Sequence, residues 1–593
     1  MTPGCSWPHF ARPQPRSNES IGNLEMKAEP LVESNESLPD YAPVVVAGGG
    51  PVGLALAVEL AAHGVRSLVV ERRDEVSPLR PRAKTTSART MEHFRRWGLA
   101  GRLRARAGLP VSWSNEAVFC TSLLGREITR IGGCFGLDLG GSEIVAEPGQ
   151  QIPQPTVEQV LREAVAESPY ARLVTGMQAT AAGQNAKGAW IEVGDGAGVS
   201  HRVRADWVAG CEGARSVVRD AMGARYEGND DSRPNFNVVF RAPGLAERVE
   251  HGPAVHYWVL SSVQPGVLGR LDLGDLWWGG ANGVDASVGE ADPRRIVTNL
   301  IGADVKVDVL STDAWQARML LADRYRQGRL FIAGDTAHQN PPWGGHGFNT
   351  GIGDAVNLGW KLAAVVNGWA PPSLLESYEA ERRPIAADTI AEAVRNMAIL
   401  APELAAPGLA GSDAEFDRAR RPTAEAIRRT KDGEFHSLGL TLGYRYDTSP
   451  IISADTRPSP EDPPNDTYVP TATPGARLPH WWVAEGKSIY DRLGPDYCLL
   501  GDLAAPAANQ LAAAAAALGV PLRLVGLDAV ESRHHLDASL VLVRPDQHVA
   551  WRGEVVDDPH AILRRATGHS FGGSSPRRAA TAFNRRHERP RQQ

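Results

Sequence analysis

The stretch from Pro43 to Glu71 constrains the fold of this chain more than any other. The β-branched run Val44-Val45-Val46 is followed by glycines at 48, 50 and 53, then by an apolar helical stretch, and a second apolar run ends in Glu71. Buried parallel strands are rich in β-branched residues. Pro51 is tolerated in the first turn of a helix because its missing N–H has no partner there. The pattern therefore predicts a strand, a glycine turn, a helix and a second strand.

The three glycines fit the GxGxxG pattern of dinucleotide-binding βαβ units. Gly48 permits the tight turn, Gly50 lets a pyrophosphate approach the backbone, and Gly53 lets the helix lie close to the strand. The N–H groups at the start of the helix then face the phosphates. Glu71, 18 residues after Gly53, can accept hydrogen bonds from ribose hydroxyls and disfavours a 2′-phosphate. We therefore predict a dinucleotide site here; the alternative is a glycine-rich turn in another βα unit.

Length, charge and cysteine content limit the class of protein. The chain has 593 residues, enough for several domains, and its net charge of −6 comes from well-mixed acidic and basic residues, which gives no sign of nucleic-acid binding. No apolar run approaches the roughly 20 residues of a membrane span, and the first 40 residues lack the apolar core of a signal peptide. Five scattered cysteines without CxxC spacing argue against disulfides and zinc. We expect a cytoplasmic protein with no nucleic-acid, membrane or metal partner.

A second strong motif follows the buried run from Leu330 to Ala333. It consists of Gly334-Asp335, a bend at Pro341-Pro342, and a glycine-rich loop that opens a helix and contains Gly345, Gly347, Phe348 and Asn349. A carboxylate at a strand end suits ribitol hydroxyls, and a helix N-terminus can hold negative charge on a reduced flavin. The glycines permit close approach of the backbone to a flat ring.

Candidate ligand-binding residues also lie between these two motifs. Arg82 and Lys84 belong to a basic loop after the second strand, which either reaches the cofactor's phosphates or ring or is simply solvated. Gln154 stands at the start of a helix, where it contacts a ligand or caps the helix. Glu212 lies in a further strand–turn–helix segment at 207–219.

The hydrophobic pattern divides the chain into five segments. Alternating strands indicate an antiparallel sheet, whose aromatics Tyr257, Trp258, Trp277 and Trp278 either line a pocket or form plain core. The linker at 453–474 is expected to separate the last domain from every cofactor motif. The predicted segments are a disordered lead at 1–40, a dinucleotide-binding domain at 41–400 with the sheet inserted at about 110–125 and 225–320, a helical and irregular connector at 401–474, a compact α/β domain at 475–565, and a disordered basic tail at 566–593.

The ordered set of motifs resembles the single-component FAD-dependent aromatic hydroxylases, the group A flavoprotein monooxygenases. The resemblance is carried by Gly48 to Gly53 with Glu71, by Gly210 to Arg219, and by Gly334-Asp335 through Asn349. Residues 474–481 and 543–546 resemble the thioredoxin-like extension of phenol and chlorophenol hydroxylases. The implied fold class is α/β, with a Rossmann-like FAD-binding domain, an inserted antiparallel-sheet substrate domain and a C-terminal thioredoxin-like α/β domain.

The resemblance also implies an activity. FAD would be the cofactor and NADPH or NADH the co-substrate, and O2 would form a flavin C4a-hydroperoxide that passes one oxygen to a small phenolic or polyketide aromatic substrate. Arg82, Gln154, Asp335 and the loop from Gly345 to Asn349 are implied to contact FAD. The middle motif, with Glu212, is implied to serve FAD and NAD(P)H together. Lys84 and Pro342 are the candidate catalytic residues.

Three departures from the family pattern leave alternatives open. Glu212 replaces a usual Asp, which leaves the nicotinamide contact open. The C-terminal extension lacks CxxC, so we expect this extension to serve packing or homodimer contacts. Lys84 stands where many phenol-type relatives carry His; a lysine there could hold a phenolate or act as the base that makes one, and the alternative is a surface lysine. On the same fold the chain could instead be a Baeyer–Villiger oxygenase, a flavin reductase or a non-catalytic flavin-binding protein.

Overall fold

The structure is a computed structural model that describes residues 38–571 except 81–82, 196–197, 199, 398–403, 456 and 458–462. Arg82 and most of the two predicted disordered ends lie outside the described residues. Two predicted boundaries shift. Leu38, in the predicted lead, packs against the core of the first domain, and Thr567, in the predicted tail, is fully buried.

The strands of the described residues are numbered in chain order. They are β1 (Tyr41–Ala47), β2 (Ser67–Val70), β3 (Thr85–Thr86), β4 (Ala117–Cys120), β5 (Glu127–Ile131), β6 (Gln150–Gln151), β7 (Ala171–Val174), β8 (Gln178–Asn185), β9 (Gly188–Gly194), β10 (Ser200–Gly210), β11 (Tyr226–Arg241), β12 (His256–Val259), β13 (Gly266–Arg270), β14 (Leu276–Asn282), β15 (Asp308–Ala322), β16 (Arg326–Gln327), β17 (Leu330–Ile332), β18 (His338–Gln339), β19 (Trp482–Ala484), β20 (Lys487–Ser488), β21 (Tyr497–Gly501), β22 (Leu522–Gly526), β23 (Leu540–Val543) and β24 (Val549–Gly553).

The α-helices are numbered in the same way. They are α1 (Pro51–Ala62), α2 (Ala88–Arg96), α3 (Ala100–Ala105), α4 (Gln154–Ala166), α5 (Val217–Ala221), α6 (Ala286–Ala291), α7 (Pro293–Ile301), α8 (His346–Val366), α9 (Ser377–Met397), α10 (Asp413–Phe435), α11 (Leu438–Leu442), α12 (Tyr490–Leu493), α13 (Pro506–Leu518), α14 (Ala529–Leu536) and α15 (Pro559–Ala566). Within the described part of the chain, none of these helices combines the length and the apolar character that a membrane span needs.

The first sheet is the predicted dinucleotide-binding core. Its strand order is β16-β17-β10-β1-β2-β7, and β17, β10, β1, β2 and β7 run parallel. The side chains of Val44, Val45 and Val46 on the central strand have no solvent exposure, as the β-branched run predicts. Because β1, β10 and β17 are neighbours, the turns that follow them meet at one edge of the sheet.

The second sheet forms the inserted domain. Its order is β18-β15-β11-β14-β13-β12-β4-β5, and it runs from Ala117 to Ile131 and from Tyr226 to Gln339. The pairs are antiparallel as predicted, except that β12 and β4 are parallel. One face, with Tyr257 and Trp277, packs against α7. The opposite face, with Trp258, packs toward the loop before α8 and toward α10.

Helix α10 shows that residues 401–474 are more than a connector. Phe416, Ile427 and Phe435 of this helix are buried in one cluster with Phe119 and Trp258 of the second sheet. Their spacing brings them to one side of a helix with a period of 3.6 residues. The helix therefore covers part of the inserted domain.

The C-terminal domain contains a four-stranded sheet of order β22-β21-β23-β24, in which β21 and β22 are parallel and the other pairs antiparallel. The sequence predicts that the linker separates this domain from every cofactor motif; in the structure the domain nevertheless packs on helices α2 and α9 of the first domain. Arg544 donates two hydrogen bonds, of 2.7 and 2.8 Å, to Glu381 on α9, and Arg477 donates to Glu92 on α2 at 3.1 Å. All four side chains are buried, so the linker does not isolate the domain.

Candidate functional site

The glycine turn between β1 and α1 leaves one position open to a ligand. Gly48 has a φ of +97°, and a Cβ there would lie 2.4 Å from the carbonyl oxygen of Cys211; a Cβ on Gly53 would lie 2.0 Å from the carbonyl oxygen of Gly48. Contacts within the protein thus explain both glycines. A Cβ on Gly50 would meet nothing within 4 Å, so space remains beside this backbone, and no side chain caps α1.

Glu71 closes the same turn. One carboxylate oxygen accepts the N–H of Gly49 at 2.8 Å, and the other accepts Nε of Arg73 at 2.8 Å. Burial raises the pKa of the carboxyl, but the hydrogen bonds and charge of Arg73 outweigh that effect and hold the pKa below its ordinary value. The carboxylate is therefore ionised. Oε1 also accepts the N–H of Arg73 at 3.0 Å, and since each oxygen has two acceptor positions, Oε2 retains one for a predicted ribose hydroxyl.

The first and last motifs pack directly on each other. A Cβ on Gly334 would lie 2.8 Å from Val52 of α1, and a Cβ on Gly351 of α8 would lie 2.7 Å from the same side chain. The two glycines let α1 and α8 lie side by side. Asp335, next to Gly334, is exposed, so its carboxylate is available to a ligand.

The loop before α8 is held by a single amide side chain. Asn349 Nδ2 donates to the carbonyl oxygens of Thr85 at 3.0 Å and Gly345 at 2.7 Å, and its Oδ1 accepts the N–H of Ser87 at 2.9 Å. Gly345 precedes α8 in the left-handed region, with a φ of +67°, and no side chain caps the helix. Asn349 thereby fixes the start of α8 against the start of α2.

The remaining predicted residues lie around this loop. Pro342 is exposed, and its carbonyl oxygen accepts the N–H of Gly345 at 3.0 Å. Gly347 and Phe348 are half-buried in the first turn of α8. The N–H of Gln154 donates to the carbonyl oxygen of Ala83 at 2.8 Å, which places the start of α4 beside the segment that carries Lys84.

Glu212 of the middle motif is turned toward its own helix. Its carboxyl accepts Oγ of Ser216 at 2.7 Å and the N–H of Val218 at 3.3 Å. Burial raises the pKa of Glu212 to about 7, although these hydrogen bonds oppose the shift. Glu212 thus holds Ser216, the N-cap residue of α5, and the first turn of that helix, and contact with a nicotinamide stays a prediction.

These elements fit FAD. Two neighbouring helices begin without side-chain caps, and free N–H groups at a helix start need acceptors such as phosphate or ring oxygens. The open space at Gly50 suits a pyrophosphate, and the exposed Asp335 suits ribitol hydroxyls.

Lys84 is a buried residue, and the alternative of a surface lysine is wrong. Its side chain is 6% exposed, and Nζ donates to the carbonyl oxygen of Val255 at 2.9 Å and lies 5.7 Å from the ring centroid of Trp278. Burial lowers the pKa of Lys84 to about 7. A Cβ on Gly269 would lie 2.8 Å from Nζ, so this glycine makes room for the amine.

Lys84 connects the loop from Gly345 to Asn349, the flavin loop, with a group of aromatic side chains on the second sheet. Thr85, the next residue, accepts the hydrogen bond from Asn349, while Lys84 contacts Val255, the residue before strand β12. His256 Nδ1 and the indole N–H groups of Trp258 and Trp278 are buried and find no hydrogen-bond partner among the described residues. Buried polar groups normally have partners, so these atoms are suited to a substrate's oxygens.

Sequence reasoning missed several residues at this site. No local signal distinguishes His256 from the aromatic residues beside it in β12. A cleft in front of the α8 loop is lined by Phe135, His346 and Phe435, among others. Phe435 ends α10, and its apolar spacing with Phe416 and Ile427 is a signal that could have placed it. No local pattern marks Phe135, whose φ is +59°.

Comparison with known proteins gives consistent matches. A model of the FAD binding domain matches residues 41–393, and a model of the C-terminal region of aromatic-ring hydroxylases matches residues 471–574. The 2,4-dichlorophenol 6-monooxygenase of Cupriavidus pinatubonensis is 32% identical over 91% of this chain and 98% of its own length. The Tetracenomycin B2 monooxygenase-dioxygenase of Streptomyces olivaceus is 32% identical over 88% and 97%. A structure of the rebeccamycin biosynthetic enzyme RebC with reduced flavin has 34% identity and a TM-score of 0.81 over 90% of this chain and all of that one.

Proposed function

The chain belongs to the family of FAD-dependent aromatic-ring hydroxylases, and from this premise we propose that Lys84 activates the substrate by holding it as a phenolate. The protein is an FAD-dependent monooxygenase that consumes NADPH or NADH and acts on an aromatic ring. The observation that carries the proposal is the buried amine of Lys84, which makes one hydrogen bond and lies beside the unpartnered indole N–H groups of Trp258 and Trp278. Lys84 also adjoins Thr85, which Asn349 of the flavin loop contacts.

We propose that FAD is held in the turn shaped by Gly48 and Gly53. The residues that would contact it are Gly50, Glu71, Asp335, Gly345, Gly347, Phe348 and Asn349, with Gln154 nearby. FAD supplies hydride acceptance from NAD(P)H and activation of O2, which we propose as the oxygen source. The protein's part is to bind, to orient the substrate and to exclude water.

Lys84 has a proton affinity suited to this task. A general base works best when its pKa is near the working pH, and the pKa of Lys84 is about 7. A phenol of pKa ~10 and this amine differ by about 3 in pKa, so moving the proton from the phenol to the amine costs ~4 kcal/mol. The ion pair formed at ~4 Å recovers about 4 kcal/mol at an effective dielectric constant of ~20. Phenolate and lysinium are thus close in energy to the neutral pair.

The phenolate is the form that reacts with an electrophilic oxygen, because its charge enters the ring. Lys84 Nζ is anchored by Val255, and the indole N–H groups of Trp258 and Trp278 remain available to oxygens on the substrate. The names of the relatives, a dichlorophenol monooxygenase and a Tetracenomycin B2 monooxygenase-dioxygenase, support phenolic and polycyclic aromatic substrates for this chain.

We further propose that the protein forms a homodimer, which sedimentation equilibrium tests.

Replacement of Lys84 by Met tests the proposal. The variant should bind FAD normally and accept electrons from NAD(P)H, but form at least about tenfold less product per NAD(P)H consumed, a loss of roughly 1.4 kcal/mol or more. In the wild type kcat/KM should rise as pH increases through about 7, where the amine loses its proton. The Met variant should lack that limb.

Lys431→Met is the matched control. Lys431 is also a buried lysine near a tryptophan, with Nζ 5.2 Å from the ring centroid of Trp258, but it is paired with Glu434. Its loss should lower thermal stability without changing the pH limb. A Lys84→Met enzyme with the wild-type ratio of product to NAD(P)H and the wild-type pH profile would contradict the proposal.

A further inference from the structure

A buried turn of the C-terminal domain, Arg544 to His548, lies between β23 and β24 and packs against the FAD-binding domain. Arg544, Asp546, Gln547 and His548 are each no more than 2% exposed. Gln547 has a φ of +67° and is one of three non-glycine residues with positive φ in the described part of the chain. A side chain rarely adopts this conformation unless its surroundings impose it, and such residues cluster at functional sites.

One side of this turn holds α8 and α9. Arg544 forms a double hydrogen bond with Glu381 of α9, and Glu381 in turn accepts Nζ of Lys361 of α8 at 2.6 Å. Asp546 accepts the indole N–H of Trp360 at 3.1 Å. The turn therefore contacts both helices through buried polar groups.

The other side of the turn holds α2. Arg89 Nη2 donates to the backbone carbonyl of Asp546 at 2.6 Å, and Nη1 donates to Oε1 of Gln547 at 2.6 Å. Arg89 is buried and lies two residues after Ser87, the residue that caps α2. The positive φ of Gln547 occurs in the residue whose side chain receives this bond.

Helices α2 and α8 are the two helices whose first turns meet at the flavin loop. The N–H of Ser87 donates to Asn349 Oδ1 at 2.9 Å, and Asn349 also holds Gly345. The turn thus joins behind the site the same two helices that Asn349 joins at the site. Any change in the spacing of α2 and α8 at the turn would alter the loop that receives the flavin.

Stability alone does not explain this arrangement. Burying charged groups costs several kcal/mol each, and apolar packing of similar volume is often as stable or more so. Hydrogen bonds between charged groups do fix geometry, because each bond restricts both partners in direction and distance. The buried charges are therefore better explained by a need for a defined spacing of α2 and α8.

We propose that the turn 544–548 is a positioning element for FAD, with Gln547 and Arg89 as its positioning residues. By setting α2 against α8 it holds Asn349 and the first turn of α8 in the geometry that binds the flavin. The inference rests on FAD binding by the glycine turn and the α8 loop. It gives the C-terminal domain, which touches none of the predicted FAD-binding residues in the hydrogen bonds described above, a role in cofactor affinity.

Gln547→Gly is the test variant. Glycine adopts the positive φ freely, so the turn can keep its shape while Arg89 loses an acceptor. The FAD dissociation constant, measured by flavin fluorescence on dilution of the holoenzyme, should rise on the order of tenfold, a typical coupling between distant groups. Gln547→Glu retains the acceptor oxygen and should restore wild-type affinity and the visible absorption spectrum of the bound flavin.

Asp455→Asn is the matched control, because this linker residue makes a polar contact with the same C-terminal domain. Asp455 accepts Nη2 of Arg552 at 2.7 Å and contacts neither α2 nor α8 in the bonds described. This variant should lower the melting temperature while leaving FAD affinity unchanged. Arg544→Lys, which keeps the charge but loses the double hydrogen bond, gives a second measurement if Gln547→Gly does not fold, and should also weaken FAD binding.

Wild-type FAD affinity in folded Gln547→Gly or Arg544→Lys would overturn the proposal. Equal loss of affinity in Asp455→Asn would do so as well, because it would show a general effect of destabilising the domain. A wild-type protein that binds no FAD would instead overturn the functional assignment, so the two failures are distinguishable.

Discussion

Replacement of Gly50 by Val should weaken FAD binding strongly while leaving the fold intact. Gly50 has an extended backbone, with φ −75° and ψ −179°, which any residue adopts, and a Cβ there meets no atom within 4 Å. The cost to folding is therefore about 1 kcal/mol at most, from a poor residue at a helix N-cap. The valine side chain would fill the space beside the backbone that the pyrophosphate approaches.

The expected loss of affinity follows from the bonds that would be blocked. A hydrogen bond to a charged group is worth ~1.5–3 kcal/mol, so loss of two backbone bonds to phosphate raises the FAD dissociation constant by at least about 100-fold. Fluorescence titration of the FAD-depleted protein measures it, with thermal unfolding alongside. Gly53→Ala is the contrasting variant, since its Cβ would lie 2.0 Å from the Gly48 carbonyl oxygen and should destabilise the fold itself. Full FAD occupancy in Gly50→Val would show that the glycine turn between β1 and α1 does not hold the pyrophosphate.

Three further predictions concern Lys84 and the C-terminal domain. Gly269→Ala places a Cβ 2.7 Å from Nε1 of Trp278 and 2.8 Å from Nζ of Lys84, so it should displace these two groups and lower product per NAD(P)H at unchanged FAD affinity; an unchanged ratio would show that the positions of the amine and the indole N–H are unimportant. The folded pKa of Lys84, about 7, lies below the ordinary value, so the unfolded chain holds the proton between about pH 7 and pH 10.4 and stability of the wild type rises with pH in that window. Lys84→Met should accordingly stabilise the protein by on the order of 4 kcal/mol at pH 7 and below and by progressively less toward pH 10, and urea unfolding at several pH values measures this; a difference independent of pH contradicts it. Removing residues after 474 takes Arg544 from Glu381 and Arg477 from Glu92. It also uncovers apolar side chains of the first domain such as Trp360 and Ile385, which pack in one cluster with Tyr497 and Leu499. The truncated chain should therefore fail to fold with FAD; recovery of a folded, yellow fragment would refute this.

The dinucleotide core could be predicted from the sequence because its signals are local. Each of three features determines the conformation of its own few residues: the β-branched run at 44–46, the glycines of the first turn and the strand before Gly334. The structure places them in parallel strands of one sheet, with β10 between β1 and β17. The inserted sheet was also predictable from alternation, although its one parallel pair, β12 with β4, was not. Pairing between distant segments has no local signature.

The substrate-facing side of the site could be predicted only in part. Lys84 was identified by its place in a family pattern, but its burial depends on Gly269 and Val255, which are far away in sequence. Phe435 and His256 each contact the ring of Phe135, and Phe435 reaches it only when α10 folds over the second sheet. The contact between the turn at 544–548 and α2 was likewise not predictable. A Pro/Asp-rich linker indicates separated domains, and no local pattern pairs Arg544 with Glu381 or Arg477 with Glu92.

Incorporation of oxygen from ¹⁸O2 tests the assignment as an aromatic monooxygenase most directly. The purified protein, with FAD and NADPH or NADH, is incubated with a panel of phenols and polycyclic aromatics, and NAD(P)H oxidation is followed together with product mass and ring integrity. We expect an aromatic substrate to stimulate NAD(P)H oxidation and to gain one oxygen atom from ¹⁸O2 with its ring intact. A product with a carbon–carbon bond opened by oxygen insertion, or NAD(P)H oxidation that no aromatic compound stimulates, would contradict it.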